Sequence, residues 1–140
     1  METVNGKKYC YVNNQRVTGE RQIGGHWYYF DGNGVMQTGF VNLGSKTVYY
    51  NSDGQMLYGE QKINNAWYYF DTITGARITG FYNLPGKTVY YGSDGQMRYG
   101  EQKINNAWYC FDTITGARVT GFYNLSGRIV YYGADGKMRY

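Results

Sequence analysis

The sequence is short of several residue types, and each shortage excludes a class of protein. Among 140 residues there are one proline, one histidine and two cysteines. Because no apolar run of about 18 residues occurs, a membrane-spanning helix is not predicted. A basic segment followed by an apolar stretch is also missing at the start, so a secretory signal peptide is not visible. Aliphatic residues are too few to build a conventional core of leucine and valine.

Tyrosine and glycine are abundant instead. The chain has 18 tyrosines and 21 glycines, and aromatic residues make up 19% of it. Tyrosine must therefore supply most of the buried area, with each hydroxyl reaching a partner or water. A stack of repeated units solves this packing problem, because each unit covers the aromatic face of its neighbour and no central core is needed.

The net charge of the chain excludes fewer classes of partner than its composition excludes classes of protein. The net charge of +4 at pH 7 mildly favours anionic polymers, including polymers of phosphate. Lysine and arginine are spread through the chain and do not line one stripe, and no RNA-binding motif is present. A solvated basic surface is the simplest interpretation, and a nucleic-acid partner is not expected.

An internal repeat organises the whole chain. Residues 59–99 are copied almost unchanged in 100–140, and 19–58 is a looser copy. Each copy divides into halves that open with Gly-Glu or Gly-Phe, at Gly19-Glu20, Gly39-Phe40, Gly59-Glu60, Gly80-Phe81, Gly100-Glu101 and Gly121-Phe122. About seven residues later each half has an aromatic strand, at Trp27–Phe30, Val48–Tyr50, Trp67–Phe70, Val89–Tyr91, Trp108–Phe111 and Val130–Tyr132.

Each half is predicted to be a β-hairpin of 20 or 21 residues. The aromatic strand is followed by a turn such as Asp53-Gly54 or Asp94-Gly95, which tolerates the positive φ of tight hairpins, and then by a second short strand. No stretch has a sustained helical period, so no helix is predicted. The predicted fold class is an all-β solenoid of stacked β-hairpins. We expect a single repeat domain over 1–140, with a degenerate half-repeat at 1–18 and hairpins at 19–38, 39–58, 59–79, 80–99, 100–120 and 121–140.

The side chains of an aromatic strand divide between two faces, because successive residues of a strand point in opposite directions. Trp67 and Tyr69 lie on one face, and Tyr68 and Phe70 lie on the other. One set should fill the inside of the stack and the other should lie at the seam between hairpins. The pattern alone does not decide which set is which.

Cys10 and Cys110 fall at the same position of the repeat, which tyrosine holds in other copies. They lie five hairpins apart, and steps of at least ~5 Å separate them by roughly 25 Å. A disulfide needs Cα atoms within about 7 Å, so an intrachain bridge is not expected. Two alternatives stay open: two free thiols, or thiols that cross-link two molecules. No Cys-x-x-Cys or histidine cluster accompanies them, so no metal site is predicted.

Catalytic chemistry is not predicted. The one histidine, His26, is replaced by alanine at the same position of the sister repeats. Nine of the ten carboxylates recur at three repeated positions, which is typical of turns and surfaces, whereas a catalytic acid pair needs one unique constellation. No Ser/His/Asp set or phosphate-binding loop is present. We therefore expect a non-catalytic chain without a cofactor.

The aromatic hairpin resembles a known family. The pattern is clearest at residues 27–40, which read WYYFDGNGVMQTGF. This stretch is similar to the cell-wall-binding repeat of choline-binding proteins, which occurs in related form in glucan-binding domains and some clostridial toxins. The resemblance extends from about Gly6 to Tyr140. It implies an extracellular module at the bacterial surface, in which choline sits between consecutive hairpins in a box of aromatic rings.

Carried onto this chain residue by residue, the resemblance implies three aromatic sites. A quaternary ammonium cannot donate hydrogen bonds, so ring faces are its natural hosts. Each site would be weak, roughly millimolar, and repetition along a polymer would turn weak sites into firm attachment. The implied sites are Trp27, Phe40 and Tyr49; Trp67, Phe81 and Tyr90; and Trp108, Phe122 and Tyr131.

This chain departs from the family pattern in two ways. Gly-Phe and Gly-Glu replace the usual Gly-Trp, so the Gly-Glu units lack one aromatic wall. Arg77 and Arg118 stand where the first repeat has Met36, and a guanidinium repels trimethylammonium but suits sugar hydroxyls or the phosphates of a teichoic acid.

Three functions therefore stay open. The first is binding of choline on teichoic acid, and the second is binding of a glucan or another wall carbohydrate. The third is a structural repeat that associates with itself, through its ends or through Cys10 and Cys110.

Overall fold

The computed structural model describes all residues from Met1 to Tyr140, and they form strands and turns. The predicted fold class, an all-β solenoid of stacked hairpins with no helix, is confirmed. No element is a helix that could cross a lipid bilayer. The strands are β1 Glu2–Val4, β2 Lys7–Tyr9, β3 Tyr11–Val12, β4 Gln15–Arg16, β5 Gly19–Ile23, β6 His26–Phe30, β7 Gly39–Asn42, β8 Thr47–Tyr50, β9 Gly59–Ile63, β10 Ala66–Phe70, β11 Gly80–Leu84, β12 Lys87–Tyr91, β13 Gly100–Ile104, β14 Ala107–Phe111, β15 Gly121–Leu125, β16 Arg128–Tyr132 and β17 Met138–Arg139.

The backbone separates into two compact units. The first contains Met1–Gln61 and Tyr69–Arg77, and the second contains Lys62–Tyr68 and Ile78–Tyr140. The predicted boundaries of the single repeat domain and its hairpins stay a prediction.

The position of the main hairpin turn differs from the predicted one. In the second unit, β11 pairs with β12 from Gly80↔Tyr91 to Leu84↔Lys87, so the ladder turns before the aromatic strand, at Pro85-Gly86. The predicted turn at Asp94-Gly95 leads instead to a single bridge between Tyr91 and Met97. The sister hairpin β13–β14 turns at Asn105 and Asn106, whose φ angles of 49° and 66° are those of the tight primed turns that suit twisted strands.

Burial decides which face of the aromatic strand lies inside the stack. In β10, Tyr68 is 6% exposed and Phe70 is fully buried, whereas Trp67 is 37% exposed. Tyr68 and Phe70 are therefore the inner set. The last residue of each aromatic strand is fully buried in all six hairpins: Phe30, Tyr50, Phe70, Tyr91, Phe111 and Tyr132.

Backbone hydrogen bonds link a hairpin to the one before it. In the first unit, the N–H of Met56 donates to the carbonyl of Trp27 at 2.9 Å, and the N–H of Arg77 donates to that of Thr47 at 2.7 Å. In the second unit, Met97 donates in the same way to Trp67 at 2.9 Å. The donor of each bond lies just after the turn that follows an aromatic strand. Each of these turns therefore sets the distance between its own hairpin and the hairpin before it.

The turns themselves are shaped by side chains. The carboxylate of Asp71 accepts hydrogen bonds from the backbone N–H groups of Ile73 and Thr74 at 2.9 and 2.8 Å. Gly75 closes this turn with φ of 75°, and a Cβ there would collide with the sulfur of Met56. The turn therefore packs directly on the preceding hairpin, and only glycine fits.

Candidate ligand sites at the aromatic strands

The structure brings the phenylalanine and tyrosine of each implied site together. These two residues face each other across one hairpin ladder, and their rings meet edge to face. The centroid distances and interplanar angles are 4.7 Å and 69° for Phe40–Tyr49, 4.9 Å and 65° for Phe81–Tyr90, and 4.9 Å and 62° for Phe122–Tyr131.

Two of these pairs are packed against aromatic residues of the following hairpin. The Phe40 and Tyr49 centroids lie 6.4 and 6.3 Å from that of Phe70. The Phe81 centroid lies 5.1 Å from that of Tyr109 and 6.3 Å from that of Phe111. Ring contacts of this kind stabilise the stack, although Phe40 and Phe81 stay 41% and 39% exposed.

Arg77, predicted to be a polar contact, lies beside the first of these pairs. Its guanidinium carbon is 5.7 Å from the Phe40 ring centroid. The Nε atoms of Arg77 and of its repeat equivalent, Arg118, are buried and have no hydrogen-bonding partner in the protein. The Phe40–Tyr49 pair therefore has a guanidinium beside it, and its part in binding stays a prediction.

Trp27 lies at a different place, in a cavity of about 270 Å³ in the first unit. Its indole is 37% exposed, so a ring face remains accessible. Phe40 and Tyr49 pack on Phe70 instead and do not line this cavity. The cavity is lined by Glu20, Trp27, Lys46, Met56, Tyr58, Ile73 and Thr74.

Local hydrogen bonds bring these distant residues together. The Met56 N–H donates to the Trp27 carbonyl, which places Met56 and the nearby Tyr58 against the tryptophan strand. Lys46 closes another side, because its Nζ donates to the carbonyl of Thr74 at 2.7 Å. The walls therefore come from three successive hairpins.

The Trp27 cavity is lined by one acidic side chain, Glu20, and one basic side chain, Lys46. Burial, and secondarily the negative charge of Glu20, raise the pKa of the Tyr58 hydroxyl above its usual value. The phenol therefore stays neutral while the glutamate carries the negative charge. The Lys46 ammonium is the one opposing charge, and its hydrogen bond to Thr74 holds it at the wall.

Part of the same arrangement recurs in the second unit. The Met97 N–H donates to the Trp67 carbonyl at 2.9 Å, and Lys87 Nζ donates to the carbonyl of Thr115 at 2.7 Å. Burial raises the pKa of the Tyr99 hydroxyl, as it does for Tyr58. The backbone bond between Met97 and Trp67 thus repeats the one between Met56 and Trp27.

The third Gly-Glu unit is different. Glu101 forms an ion pair with Arg128, with 3.4 Å between Oε2 and Nη2, where the earlier units have lysine at the corresponding position. The Glu101 carboxylate is therefore partly neutralised. Trp108 keeps the 37% exposure of the other tryptophans.

The two cysteines differ in accessibility. Cys110 is 2% exposed, and burial raises the pKa of its thiol, so it is a poor partner for a second molecule. Cys10 is half-buried, and neither forms a disulfide. Of the two thiols considered for a cross-link between molecules, Cys10 is the more accessible.

Sequence reasoning missed Glu20, Lys46, Met56 and Tyr58 as wall residues. The glutamate of each Gly-Glu pair was interpreted only as the loss of an aromatic wall. The sequence did contain a signal for these four residues. Each of them has a chemically similar counterpart one long repeat later. What the sequence did not show is that residues about 30 positions beyond Trp27 fold back onto it.

Comparisons with known protein families and structures place this architecture among related repeats. A family model described as choline-binding repeat matches residues 37–80 and 78–121, and one described as cell wall binding repeat matches residues 21–36. A search of curated protein sequences gives no significant match.

Solved structures from Streptococcus pneumoniae are similar in fold. Choline binding protein F, crystallised in the presence of a peptidoglycan analogue, is 29% identical over 90% of this chain and 42% of its own, with a TM-score of 0.83. CbpJ of strain TIGR4 is 30% identical over 99% of this chain and 51% of its own, with a TM-score of 0.88. The choline-binding domain of CbpL is 28% identical over 88% of this chain and 65% of its own, with a TM-score of 0.65. This chain thus spans 42% to 65% of these relatives.

Proposed function

Because this chain belongs to the family of choline-binding repeat proteins, we propose that it is a non-catalytic module that attaches to a bacterial cell-wall polymer by binding its choline groups. The observation that carries this proposal is the Trp27 cavity, where an accessible indole, a neutral phenol and a carboxylate meet.

The chemistry of this cavity suits a trimethylammonium group. The faces of Trp27 and Tyr58 attract a cation that has no hydrogen bonds to donate. Met56 adds a polarizable apolar wall, and Glu20 contributes the opposite charge. At about 270 Å³, the cavity has room for the ammonium and for the chain that leads back to a polymer.

We assign a second site to Trp67, with Met97 and Tyr99 as the corresponding walls. This assignment keeps the tryptophans implied by the family resemblance. It replaces the Phe40–Tyr49 and Phe81–Tyr90 pairs by the methionine and tyrosine that follow the next aromatic strand. The replacement is supported by the cavity in the first unit, which Trp27, Met56 and Tyr58 line and which Phe40 and Tyr49 do not.

Two weak sites on one chain suit a repetitive ligand. Once one site holds a choline of a polymer, the second choline binds at the high effective concentration set by the spacer. We therefore propose that the polymer is a choline-decorated teichoic acid at the bacterial surface. The crystallisation of choline binding protein F with a peptidoglycan analogue is consistent with a wall setting.

Calorimetric titration with choline tests the proposal. Saturable binding with a Kd of roughly millimolar order is expected, and 3,3-dimethylbutan-1-ol, the uncharged carbon analogue of choline, should bind at least about tenfold more weakly because it lacks the charge. Equal binding of the two compounds, or no binding of choline, would contradict the proposal.

Three variants locate the sites. Trp27→Leu should remove about half of the bound choline and Glu20→Gln should weaken that site. Trp108→Leu is the matched control and should leave binding unchanged, because Glu101 is paired with Arg128.

A dextran titration followed by tryptophan fluorescence examines the carbohydrate alternative. A saturable response to dextran together with silence to choline would replace the proposed ligand by a glucan.

A further inference from the structure

Arginine occupies a position of the repeat that methionine fills elsewhere. This is the position whose backbone N–H donates to the preceding hairpin, and its residues are Met36, Met56, Arg77, Met97 and Arg118. All five backbone bonds are alike, with lengths between 2.7 and 2.9 Å. The stack is therefore joined equally well through a methionine, and the fold does not require a guanidinium at Arg77 or Arg118.

The two arginines also lack the partners that usually accompany a charge withdrawn from water. Both side chains are half-buried, and the Nε atom of each is buried without a hydrogen-bonding partner. Neither belongs to an ion pair; the ion pairs of the chain are Arg98–Asp94, Arg128–Glu101 and Arg139–Asp135. Partial burial of an unpaired charge costs free energy. A ligand of opposite charge would offset that cost.

An aromatic ring that is both fixed and accessible lies beside Arg77. The guanidinium carbon is 5.7 Å from the Phe40 ring centroid. Phe40 is held edge to face by Tyr49, with 4.7 Å between centroids, and yet stays 41% exposed. The site thus combines an apolar surface with a cation, and a guanidinium beside a ring keeps donors in its own plane for a further partner.

The second unit repeats this arrangement around Arg118. Phe40 lies 6.4 Å from Phe70, whose bridge partner is Arg77, and Phe81 lies 6.3 Å from Phe111, whose bridge partner is Arg118. Phe81 is 39% exposed, close to the value for Phe40. The same combination of ring and cation is therefore built twice in one chain.

The two parts of the site point to a ligand with two kinds of surface. A guanidinium binds the oxygens of a phosphate or carboxylate, and like charge disfavours a trimethylammonium group at this place. The phenyl ring beside it takes an apolar surface, such as the C–H face of a sugar ring. A sugar that carries an oxyanion presents both surfaces to one site.

We propose that Arg77 with Phe40, and Arg118 with Phe81, bind sugars that carry a phosphate or carboxylate group. These sites are separate from the Trp27 cavity, which none of the four residues lines. The proposal therefore stands or falls independently of choline binding.

An NMR titration of the ¹⁵N-labelled full chain tests the proposed ligand class. Glucose 6-phosphate and glucuronate should each shift amide signals around Arg77 and Arg118 in a saturable way, with a Kd of roughly millimolar order. Glucose lacks the charge and inorganic phosphate lacks the apolar ring. At matched ionic strength, both should bind at least about tenfold more weakly.

Variants taken from the chain itself locate the sites. Arg77→Met and Arg118→Met install the residue found at Met36, so the backbone bond to the preceding hairpin is expected to remain. Each variant should lose about half of the bound glucose 6-phosphate, and the double variant should bind it at least about tenfold more weakly. Arg21→Met is the matched control, because it removes an exposed arginine outside both sites and should leave binding unchanged.

Phe40→Leu tests the aromatic part of the first site without changing the charge. It should weaken glucose 6-phosphate binding at Arg77 and leave the signals around Arg118 unchanged. Circular dichroism checks that each variant is folded.

Three results would overturn the proposal. The first is a wild type that binds neither anionic sugar, and the second is inorganic phosphate that binds as tightly as glucose 6-phosphate, which would indicate general attraction to a basic chain. The third is a double arginine variant that binds like the wild type. Choline titration of the double variant separates the two functions, because choline binding at the Trp27 cavity should be retained there.

Discussion

At the scale of single residues, the stack depends on turn residues that bond within their own hairpin and touch the one before. Asp71 organises its turn through two backbone N–H groups, and Gly75 packs the turn on Met56. Both effects are local, so single substitutions should report them cleanly.

Asp71 should make the stability of the protein sensitive to acid. Hydrogen bonds from Thr74 and Ile73 hold the pKa of this carboxyl below its usual value of 3.8. The carboxylate therefore stabilises the fold above that pH, and the stabilisation is lost as the pH falls through the lowered folded-state pKa. The difference in free energy of unfolding between the wild type and Asp71→Asn should be largest near neutrality and should shrink as the pH falls below 3.8 and through the lowered folded-state pKa, as measured by denaturant unfolding.

The chain itself offers the reciprocal control. Asn51 holds the equivalent turn position, and its Oδ1 accepts from the N–H groups of Asp53 and Gln55 at 2.9 and 3.0 Å. Asn51→Asp should add acid sensitivity where Asp71→Asn removes it. A difference that stays constant across the whole pH range for both variants would contradict the argument.

Gly75 should not tolerate alanine. Its φ of 75° is strained for any residue with a Cβ, and the Cβ would meet the Met56 sulfur. Gly75→Ala should destabilise the protein by about 2 kcal/mol or more. Gly59→Ala is the control, because Gly59 has a similar φ of 73° and a Cβ there would touch nothing. Urea unfolding measures both, and equal losses would show that the Met56 contact does not matter.

At the scale of the element, the tight turn of the hairpin is the feature that fixes register. Asn105 and Asn106 adopt positive φ angles, a conformation that asparagine tolerates better than other residues with a Cβ. Asn106→Ala should therefore cost about 1 kcal/mol, whereas Asn106→Gly should stay within about 0.5 kcal/mol of the wild type. Thermal unfolding followed by circular dichroism compares the two, and a glycine variant as unstable as the alanine one would contradict the assignment.

The sequence predicted the hairpin repeat better than its ladder. Alternating tyrosines and phenylalanines fixed where the aromatic strands lie, because a strand must turn every second side chain inward. The partner strand was harder to place, since Gly100–Ile104 is polar and has no alternation that marks it as a strand. Asp-Gly is a stronger hairpin-turn signal than Asn-Asn. The turn was therefore predicted at Asp-Gly, whereas the hairpin turns at Asn-Asn.

The Trp27 cavity was only partly predictable for a related reason. Trp27 stood out because tryptophan interrupts a tyrosine pattern. Glu20 lies on the neighbouring strand, two ladder positions along, so its role was visible in principle. Tyr58 and Thr74 reach the cavity only through the stacking of later hairpins, which no pattern within one repeat encodes.

At the scale of the whole molecule, ligand binding and folding should be linked. A ligand that binds only the folded state stabilises it by about 2.7 kcal/mol per site at a concentration 100 times its Kd. Choline should therefore raise the melting temperature in a saturable way, and Trp27→Leu should lose roughly half of that rise. Scanning calorimetry at increasing choline measures it. A rise that continues without saturation, and is equal for the wild type and Trp27→Leu, would indicate a solvent effect.

The backbone hydrogen bond between each hairpin and the one before it bears on how the chain can change in length. Donors at Met36, Met56, Arg77, Met97 and Arg118 repeat the same link whatever their side chain. If one 41-residue unit, such as 59–99 or 100–140, were inserted or removed, each remaining unit would still carry the donor that its neighbour needs. The length of the stack can therefore change in whole units without breaking a link between hairpins.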